Sequence, residues 1–299
     1  MVDSRSIAGR LALPLMGVAA VGVAGCGSSG GGSGGGSQAK PSSAHITINP
    51  SGKSAKLAVP KTVKGGLVQL SVQNNTKRPA PPLQLIQVKG GHTVPQALKA
   101  IAGQNTSAPP WVRGAGGTDG ISPGQTATAV LKLPAGTYGA ALIGGGPGSP
   151  SGPPPFAQFK VSGGKGGSLP STQTTVTAAT AGKNKYKWQI SGALKPGANR
   201  ITFDSKGPKA LHLIASFRLK GNASKAQILK ALKQENGRPP SFVDTTSFNS
   251  SAVLDGGKSQ VTPYTFRKPG RYVLFCPLSD RGESKPHFEE GLLTTVTVK

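Results

Sequence analysis

The stretch "GRYVLFCPLSDRGESKPHFEEGLLTTVTVK" (Gly270–Lys299) ends the chain, and its pattern decides how the remainder is interpreted. Its alternating, strand-like halves lie on either side of a polar loop. Cys276 ends the first half, and it is the one cysteine beyond the first few dozen residues. His287, one of four histidines in the chain, ends the loop. The stretch therefore predicts two neighbouring strands that hold a thiol and an imidazole at their junction.

The composition favours a β-rich protein with a basic surface. The chain has 299 residues, enough for two ordinary domains, and its 44 glycines and 26 prolines suit short strands joined by many turns. Lysine and arginine number 35 against 10 acidic residues, a net charge of +25, which favours anionic surroundings. The basic residues are scattered without interleaved aromatic residues, and the export signal predicted below also argues against nucleic acid, so we expect no nucleic-acid partner. Anionic lipid headgroups or anionic cell-envelope polymers fit better, and a basic surface without a particular partner is the alternative.

The first 25 residues are predicted to be a lipoprotein signal peptide. Arg5 and Arg10 precede the apolar run Leu11–Gly25, which is too short to span a bilayer comfortably. The run ends in Val23-Ala24-Gly25-Cys26, which resembles the lipobox of bacterial lipoproteins. That resemblance implies cleavage before Cys26 and attachment of lipid to it, hence a location at the extracytoplasmic face of the bacterial cell membrane. An uncleaved N-terminal anchor is the alternative.

Residues 26–44 are rich in glycine and serine and predict a flexible, lipid-anchored tether. If Cys26 carries lipid, the two cysteines do not pair with each other. Cys276 is then a single thiol in an oxidising compartment. Such a thiol is a liability unless it is buried or bound, which makes Cys276 a candidate ligand or core residue.

The chain contains an internal repeat. Lys64–Ile101 matches Lys195–Leu232 without a gap, each segment carrying a Lys-x-Gly turn, two apolar strands and a short amphipathic helix. The repeat predicts two tandem Greek-key β-sandwich domains, each with a short inserted helix, over residues 45–162 and 173–299. A glycine-rich linker over residues 163–172 is predicted to join them.

The final stretch resembles the last two strands of the cupredoxins, the blue-copper family. In that family a Gly-x-Tyr strand supplies a cysteine ligand, the next loop supplies a histidine, and an earlier strand and loop supply another histidine. The segment "FDSKGPKALHLIASF" puts His212 in that earlier place. The resemblance implies a cupredoxin-like fold and one copper ion per chain, held in the second domain by His212, Cys276 and His287. It also implies electron transfer or copper handling, with a possible redox partner protein.

Two departures from the family pattern matter. The axial position usually holds methionine, whereas the corresponding residue here is Leu292, which cannot ligate a metal. In the first repeat, Pro81 and Leu142 occupy the positions that match His212 and Cys276. The first domain is therefore predicted to be a cupredoxin-like scaffold without copper ligands.

Several alternatives stay open at the level of sequence. A lone cysteine on a strand is most often a buried apolar residue, so a metal-free surface-binding or structural lipoprotein on a degenerate cupredoxin scaffold is the second hypothesis. An enzyme is not expected, because the oxidases and reductases of this family need a second copper centre with several more histidines. Acidic residues are concentrated in and just after the polar loop. They indicate either a solvated loop or a functional patch. Such a patch would be a docking site for a redox partner or an entry path that attracts the cation. These residues are Asp280, Glu283, Glu289 and Glu290.

Overall fold

The structure is a computed structural model, and it describes residues 40–52, 54–102, 107–143, 154–234 and 238–299. The predicted signal peptide and most of the predicted tether, including Cys26, lie outside these residues. Within the described ranges, no helix is long and apolar enough to cross a membrane.

The predicted all-β fold class is confirmed. The first half contains nine strands and one helix in the described part of the chain. They are β1 (Ser42–Ser51), β2 (Ser54–Ala58), β3 (Thr62–Lys64), β4 (Gly66–Asn74), β5 (Leu83–Val88), α1 (Val94–Ala102), β6 (Val112–Gly117), β7 (Thr126–Leu133), β8 (Gly136–Leu142) and β9 (Phe156–Ser162).

The second half repeats this series with two additional short strands and without a counterpart of β3. Its elements are β10 (Thr174–Gly182), β11 (Lys185–Ser191), β12 (Gly197–Ser205), β13 (Leu211–His212), β14 (Ala215–Leu219), α2 (Lys225–Lys233), β15 (Val243–Ser250), β16 (Leu254–Asp255), β17 (Ser259–Phe266), β18 (Gly270–Phe275) and β19 (Leu293–Val298). The two additional strands are β13 and β16.

The two halves have the same strand order. In one layer the orders are β2-β1-β4-β7 and β11-β10-β12-β17, and the pairs β1–β4 and β10–β12 are both parallel. In the other layer the orders are β6-β5-β8-β9 and β15-β14-β18-β19. Each half therefore forms a two-layer β-sandwich, with its main apolar core between the layers. Strand β1 begins at Ser42, three residues before the predicted domain start, because Ser42 already pairs with Val68 of β4.

The predicted helices lie at equivalent places, and the same local signal begins each of them. Thr93 exchanges hydrogen bonds with Gln96, and Ser224 exchanges them with Gln227, so each helix starts with a reciprocal capping box. Each helix packs its apolar side on the outer face of its own sandwich. This face of the second unit buries Ile228 of α2 against the sheet.

Tyrosines at equivalent positions make the same hydrogen bond in both sandwiches. The Tyr138 hydroxyl donates to the carbonyl of Pro134 at 2.9 Å, and the Tyr272 hydroxyl donates to the carbonyl of Lys268 at 2.9 Å. Both rings are fully buried. Each hydroxyl reaches back four residues along the chain, as in the tyrosine corner of β-sandwiches.

The two sandwiches share one continuous sheet. Strand β17 pairs with β7, with Gln260 opposite Leu131, so that the first layers of both halves form an eight-stranded sheet. Next to this junction the Gly117 N–H donates to the side-chain oxygen of Gln260 at 3.0 Å. Gly116 has a φ of +88°, and a Cβ there would collide with the Gln260 side chain. Glycine is therefore required at this contact between the two halves.

Candidate metal centre

Three separate segments bring the predicted ligands to one end of the second sandwich. His212 lies in β13, which pairs with β16. Cys276 directly follows β18, and its N–H donates to the carbonyl of Leu292 at 3.1 Å. His287 ends the polar loop, where its N–H donates to the carbonyl of Leu278 at 2.8 Å. Backbone hydrogen bonds thus hold both ends of the loop between Cys276 and His287.

The three side chains converge on a common point. His212 Nδ1 lies 3.1 Å from His287 Nδ1, and Cys276 Sγ lies 4.0 Å and 3.6 Å from these two nitrogens. A triangle with these sides has a centre about 2.1 Å from each corner, close to the roughly 2.0–2.3 Å of metal bonds to imidazole nitrogen and thiolate sulfur. All three side chains are fully buried. In the described part of the chain this is the group of metal-ligating side chains that could hold an ion.

The outward hydrogen bonds of the imidazoles decide which nitrogens face the site. His212 Nε2 lies 3.0 Å from the carbonyl oxygen of Lys206, and His287 Nε2 lies 3.1 Å from Asp280 Oδ1. A carbonyl and a carboxylate can only accept, so each Nε2 carries its proton. When the rings are neutral, both Nδ1 lone pairs therefore point at the same place as the Cys276 sulfur.

Cys276 is a buried thiol whose pKa is lowered. Burial opposes ionisation of Cys276, but hydrogen bonds to His212 and His287 and their charge outweigh it and lower its pKa to about 6. For His287, burial opposes protonation, yet the hydrogen bonds to Asp280 and Cys276 outweigh it and raise its pKa to about 9. The site therefore favours a thiolate, which is the form of cysteine that binds metals.

The surroundings of the sulfur are apolar. Leu292 is fully buried in the same core cluster as Cys276, together with Ala210, Ile214 and Leu254. A metal between the three ligands would therefore lie in a water-poor environment. Leucine offers no donor atom, so the cluster provides three ligands rather than four.

Sequence reasoning missed two residues of this site. Asp280 was interpreted as part of a solvated loop or a docking patch, but it is 6% exposed and its carboxylate accepts from His287 Nε2 and from the Tyr186 hydroxyl. Tyr186 comes from β11, the edge strand of the other layer, and its ring centroid lies 4.9 Å and 4.7 Å from those of His212 and His287. The acidic loop residues therefore do not act as one group, since Glu289 instead pairs with Lys233 at 2.8 Å.

The equivalent end of the first sandwich is built differently. Leu142, at the position that matches Cys276, is buried in the apolar core. His45 is exposed on β1, and His92 stacks on Trp111 with ring centroids 4.0 Å apart. That the first half is a scaffold without copper ligands stays a prediction.

Comparisons with known proteins identify distant structural likenesses. No protein-family model matches this chain, and the curated protein sequences contain no match. Among solved structures, auracyanin B is 18% identical over 42% of this chain and 86% of its own, with a TM-score of 0.27. A multicopper oxidase is 13% identical over 86% of this chain and 88% of its own, with a TM-score of 0.22. A copper nitrite reductase from Nitrosomonas europaea is 11% identical over 87% and 94%, with a TM-score of 0.23.

Proposed function

We propose that this protein binds one copper ion through His212, Cys276 and His287 and transfers single electrons. The observation that carries the proposal is the pair of Nδ1 atoms 3.1 Å apart, both facing Cys276 Sγ. Each imidazole is held by its Nε2 hydrogen bond, so two lone pairs and a sulfur are directed at one buried point. Such a set suits a cation far better than it suits an apolar core.

The number and type of donors favour copper over zinc. Structural zinc sites take four ligands in a tetrahedron. Here three donors converge and the neighbouring Leu292 is apolar. A trigonal His₂Cys set is typical of blue-copper sites, and copper bound there would supply one-electron exchange between Cu(I) and Cu(II).

Complete burial of the ligands supports electron transfer over copper delivery. Handing copper to another protein requires ligand exchange, and hence access to the metal by an incoming donor. His212, Cys276 and His287 are all 0% exposed. An electron crosses a thin protein layer without displacing any ligand, so a sealed site can still carry electrons.

The proposed location is the extracytoplasmic face of the bacterial cell membrane, with the lipid on Cys26. The signal-like residues 1–25 and the tether-like residues 26–44 support this location. A redox partner protein at the membrane is part of the proposal, and anionic envelope polymers are the natural neighbours of a surface with net charge +25. We propose a carrier rather than an enzyme, because four histidines do not suffice for a further multinuclear copper centre.

The experiment is copper titration of the full-length chain purified in detergent, with Cys26→Ser so that Cys276 is the one thiol. We expect stoichiometric binding and an intense visible band from charge transfer between the thiolate and Cu(II). The matched variant Cys276→Ser should lack the band, because a hydroxyl cannot replace the sulfur. His92→Gln, at a histidine that stacks on Trp111 away from the site, is the control and should retain it.

Three outcomes contradict the proposal. The absence of copper binding would favour the metal-free scaffold. Tight zinc binding without a copper–thiolate band would identify a zinc site. A band that survives in Cys276→Ser would place the copper elsewhere in the chain.

A further inference from the structure

A chain of hydrogen bonds leads from the candidate metal centre into the second sandwich. His287 Nε2 donates to Asp280 Oδ1 at 3.1 Å. The Tyr186 hydroxyl donates to the same carboxylate, 2.8 Å from Oδ1 and 2.7 Å from Oδ2. Asp280 and Tyr186 are each 6% exposed. The carboxylate thus accepts from two buried donors and is one hydrogen bond away from a ligand.

The loop that carries Asp280 is fixed by the first sandwich. Ser107 Oγ donates to the Asp280 carbonyl at 3.2 Å, and the neighbouring Arg281 donates to the carbonyl of Val112 at 2.7 Å. Arg281 also forms an ion pair with Asp255 at 2.7 Å. These contacts position Asp280 independently of any metal.

Resting on the proposed function, we propose that Asp280 and Tyr186 are a pair of positioning residues that set the copper reduction potential in opposite directions. Asp280 places negative charge beside His287 and thereby favours Cu(II). Tyr186 withdraws part of that charge by hydrogen bonding to the carboxylate and thereby favours Cu(I).

The physical reason lies in the basicity of His287. A carboxylate that accepts from the outer nitrogen of a ligating histidine fixes the tautomer and increases the donor strength of the inner nitrogen. A stronger donor stabilises the more highly charged metal ion. The effect is large here because the group is buried, where charge–charge interactions are weakly screened.

The Tyr186 hydroxyl has the opposite influence on the same carboxylate. Its hydrogen bond spreads over both carboxylate oxygens and competes with His287 for their charge. Without that hydroxyl, Asp280 would draw the His287 proton more strongly, and His287 would become a stronger ligand. The ring of Tyr186 contacts both imidazoles, and phenylalanine at this position would keep those contacts.

The test compares Asp280→Asn and Tyr186→Phe in the full-length chain carrying Cys26→Ser. We expect Asp280→Asn to raise the reduction potential and to weaken Cu(II) binding roughly 10- to 100-fold, the usual cost of losing an outer hydrogen-bond partner. We expect Tyr186→Phe to lower the potential. Asp244→Asn is the matched control, because Asp244 is also buried in the second sandwich but pairs with Arg218 instead of a ligand.

A merely structural role predicts a different pattern. Both variants would then shift the potential in the same direction, or Asp244→Asn would shift it as much as Asp280→Asn, and either result overturns the inference. A Tyr186→Phe chain that is blue with an unchanged or raised potential also overturns it, even if Asp280→Asn does not fold. A wild type that binds no copper refutes the proposed function itself, whereas a blue wild type whose potential is unaffected by Asp280→Asn refutes this inference alone.

Discussion

The Nδ1 atoms of His212 and His287 lie 3.1 Å apart in a site from which water is excluded. Since each Nε2 donates to a fixed acceptor, these two nitrogens face each other as acceptors when both rings are neutral. Two facing lone pairs repel each other unless a proton or a cation lies between them. Because the pKa of His287 is raised to about 9, its proton fills this place beside the Cys276 thiolate at neutral pH, and a bound metal would replace that proton.

Copper is expected to stabilise the folded chain. The ligands come from three segments that are separated in the unfolded chain, so the metal binds the native state almost exclusively. At a free copper concentration 100 times the dissociation constant, the added stability should be about 2.7 kcal/mol. Thermal unfolding with and without copper measures it. Cys276→Ser should lose most of the shift, whereas an unchanged shift in that variant would mean that copper stabilises through other sites.

The scaffold was accessible from sequence through local signals, and the set of His212, Cys276 and His287 was accessible through the resemblance to the cupredoxins. The capping residues Ser224 and Gln227 indicate the start of α2. The Gly-x-Tyr strand places Cys276 at its end. His212 and His287 are then implied by the cupredoxin pattern, which places one histidine after an earlier strand and another in the loop that follows the cysteine. These signals require no knowledge of how loops fold over the site.

The contacts of Asp280 and Tyr186 with the site could not be predicted from sequence in the same way. Asp280 lies in a polar loop whose composition is that of a solvated segment, and its burial depends on contacts from the first sandwich. Tyr186 lies 94 positions from Asp280, and no spacing rule links them. The shared sheet was missed too, although Val130 and Val261 leave apolar side chains on the edges that pair.

Among the ionic groups at the junction of the two sandwiches, Asp255 is expected to cost the most stability when it is removed. Its carboxylate pairs with Arg113 at 3.1 Å and with Arg281 at 2.7 Å, and it accepts from the Gly114 N–H at 2.8 Å. The Arg281 side chain is 8% exposed. Asp255→Ala leaves this guanidinium buried without its carboxylate, which should cost on the order of 3–5 kcal/mol.

Chemical denaturation measures this loss, and Glu289→Gln is the control. The Glu289–Lys233 pair is 2.8 Å long but its side chains are 24% and 48% exposed, so its removal should cost about 1 kcal/mol or less. Equal costs for the two substitutions would show that the Asp255 network does not hold the two halves together.

Asp119 is expected to make the protein less stable as the pH rises. Burial raises the pKa of Asp119 to about 8, and the nearby Asn249 amide offsets only part of this effect. Among the described residues, neither carboxylate oxygen has a hydrogen-bond partner of good geometry. The folded chain therefore keeps this proton up to about pH 8, while the unfolded chain loses it near pH 4.

The sign of the effect follows from proton binding. Between these two pKa values the folded state binds the additional proton, so the free energy of unfolding should fall with rising pH, by at most about 1.4 kcal/mol per pH unit. Asp119→Asn should abolish this contribution and stabilise the protein most at pH 8 and above. Denaturant unfolding from pH 4 to 9 tests it, and parallel curves for wild type and variant would contradict it.

Membrane attachment is expected to depend on Cys26. Cys26→Ala should leave an unprocessed precursor, because neither the lipid nor the cleavage that follows it can occur without the thiol. Mass spectrometry of the N-terminus and fractionation of cells measure the result. Mature-length Cys26→Ala protein in the membrane fraction would rule out lipidation at this residue.

Leu292→Met is expected to lower the copper reduction potential. Leu292 is fully buried beside Cys276 and gives the metal no fourth donor, an arrangement that favours Cu(I). A methionine thioether at this position supplies a weak axial ligand, which stabilises Cu(II). Leucine and methionine have similar volumes, so the substitution should cost less than about 1.5 kcal/mol of stability. Electrochemistry of the copper-loaded chain measures the change, with Leu274→Met as the control because Leu274 is buried in the same cluster on β18. Equal potentials for Leu292→Met and wild type would mean that residue 292 does not face the metal.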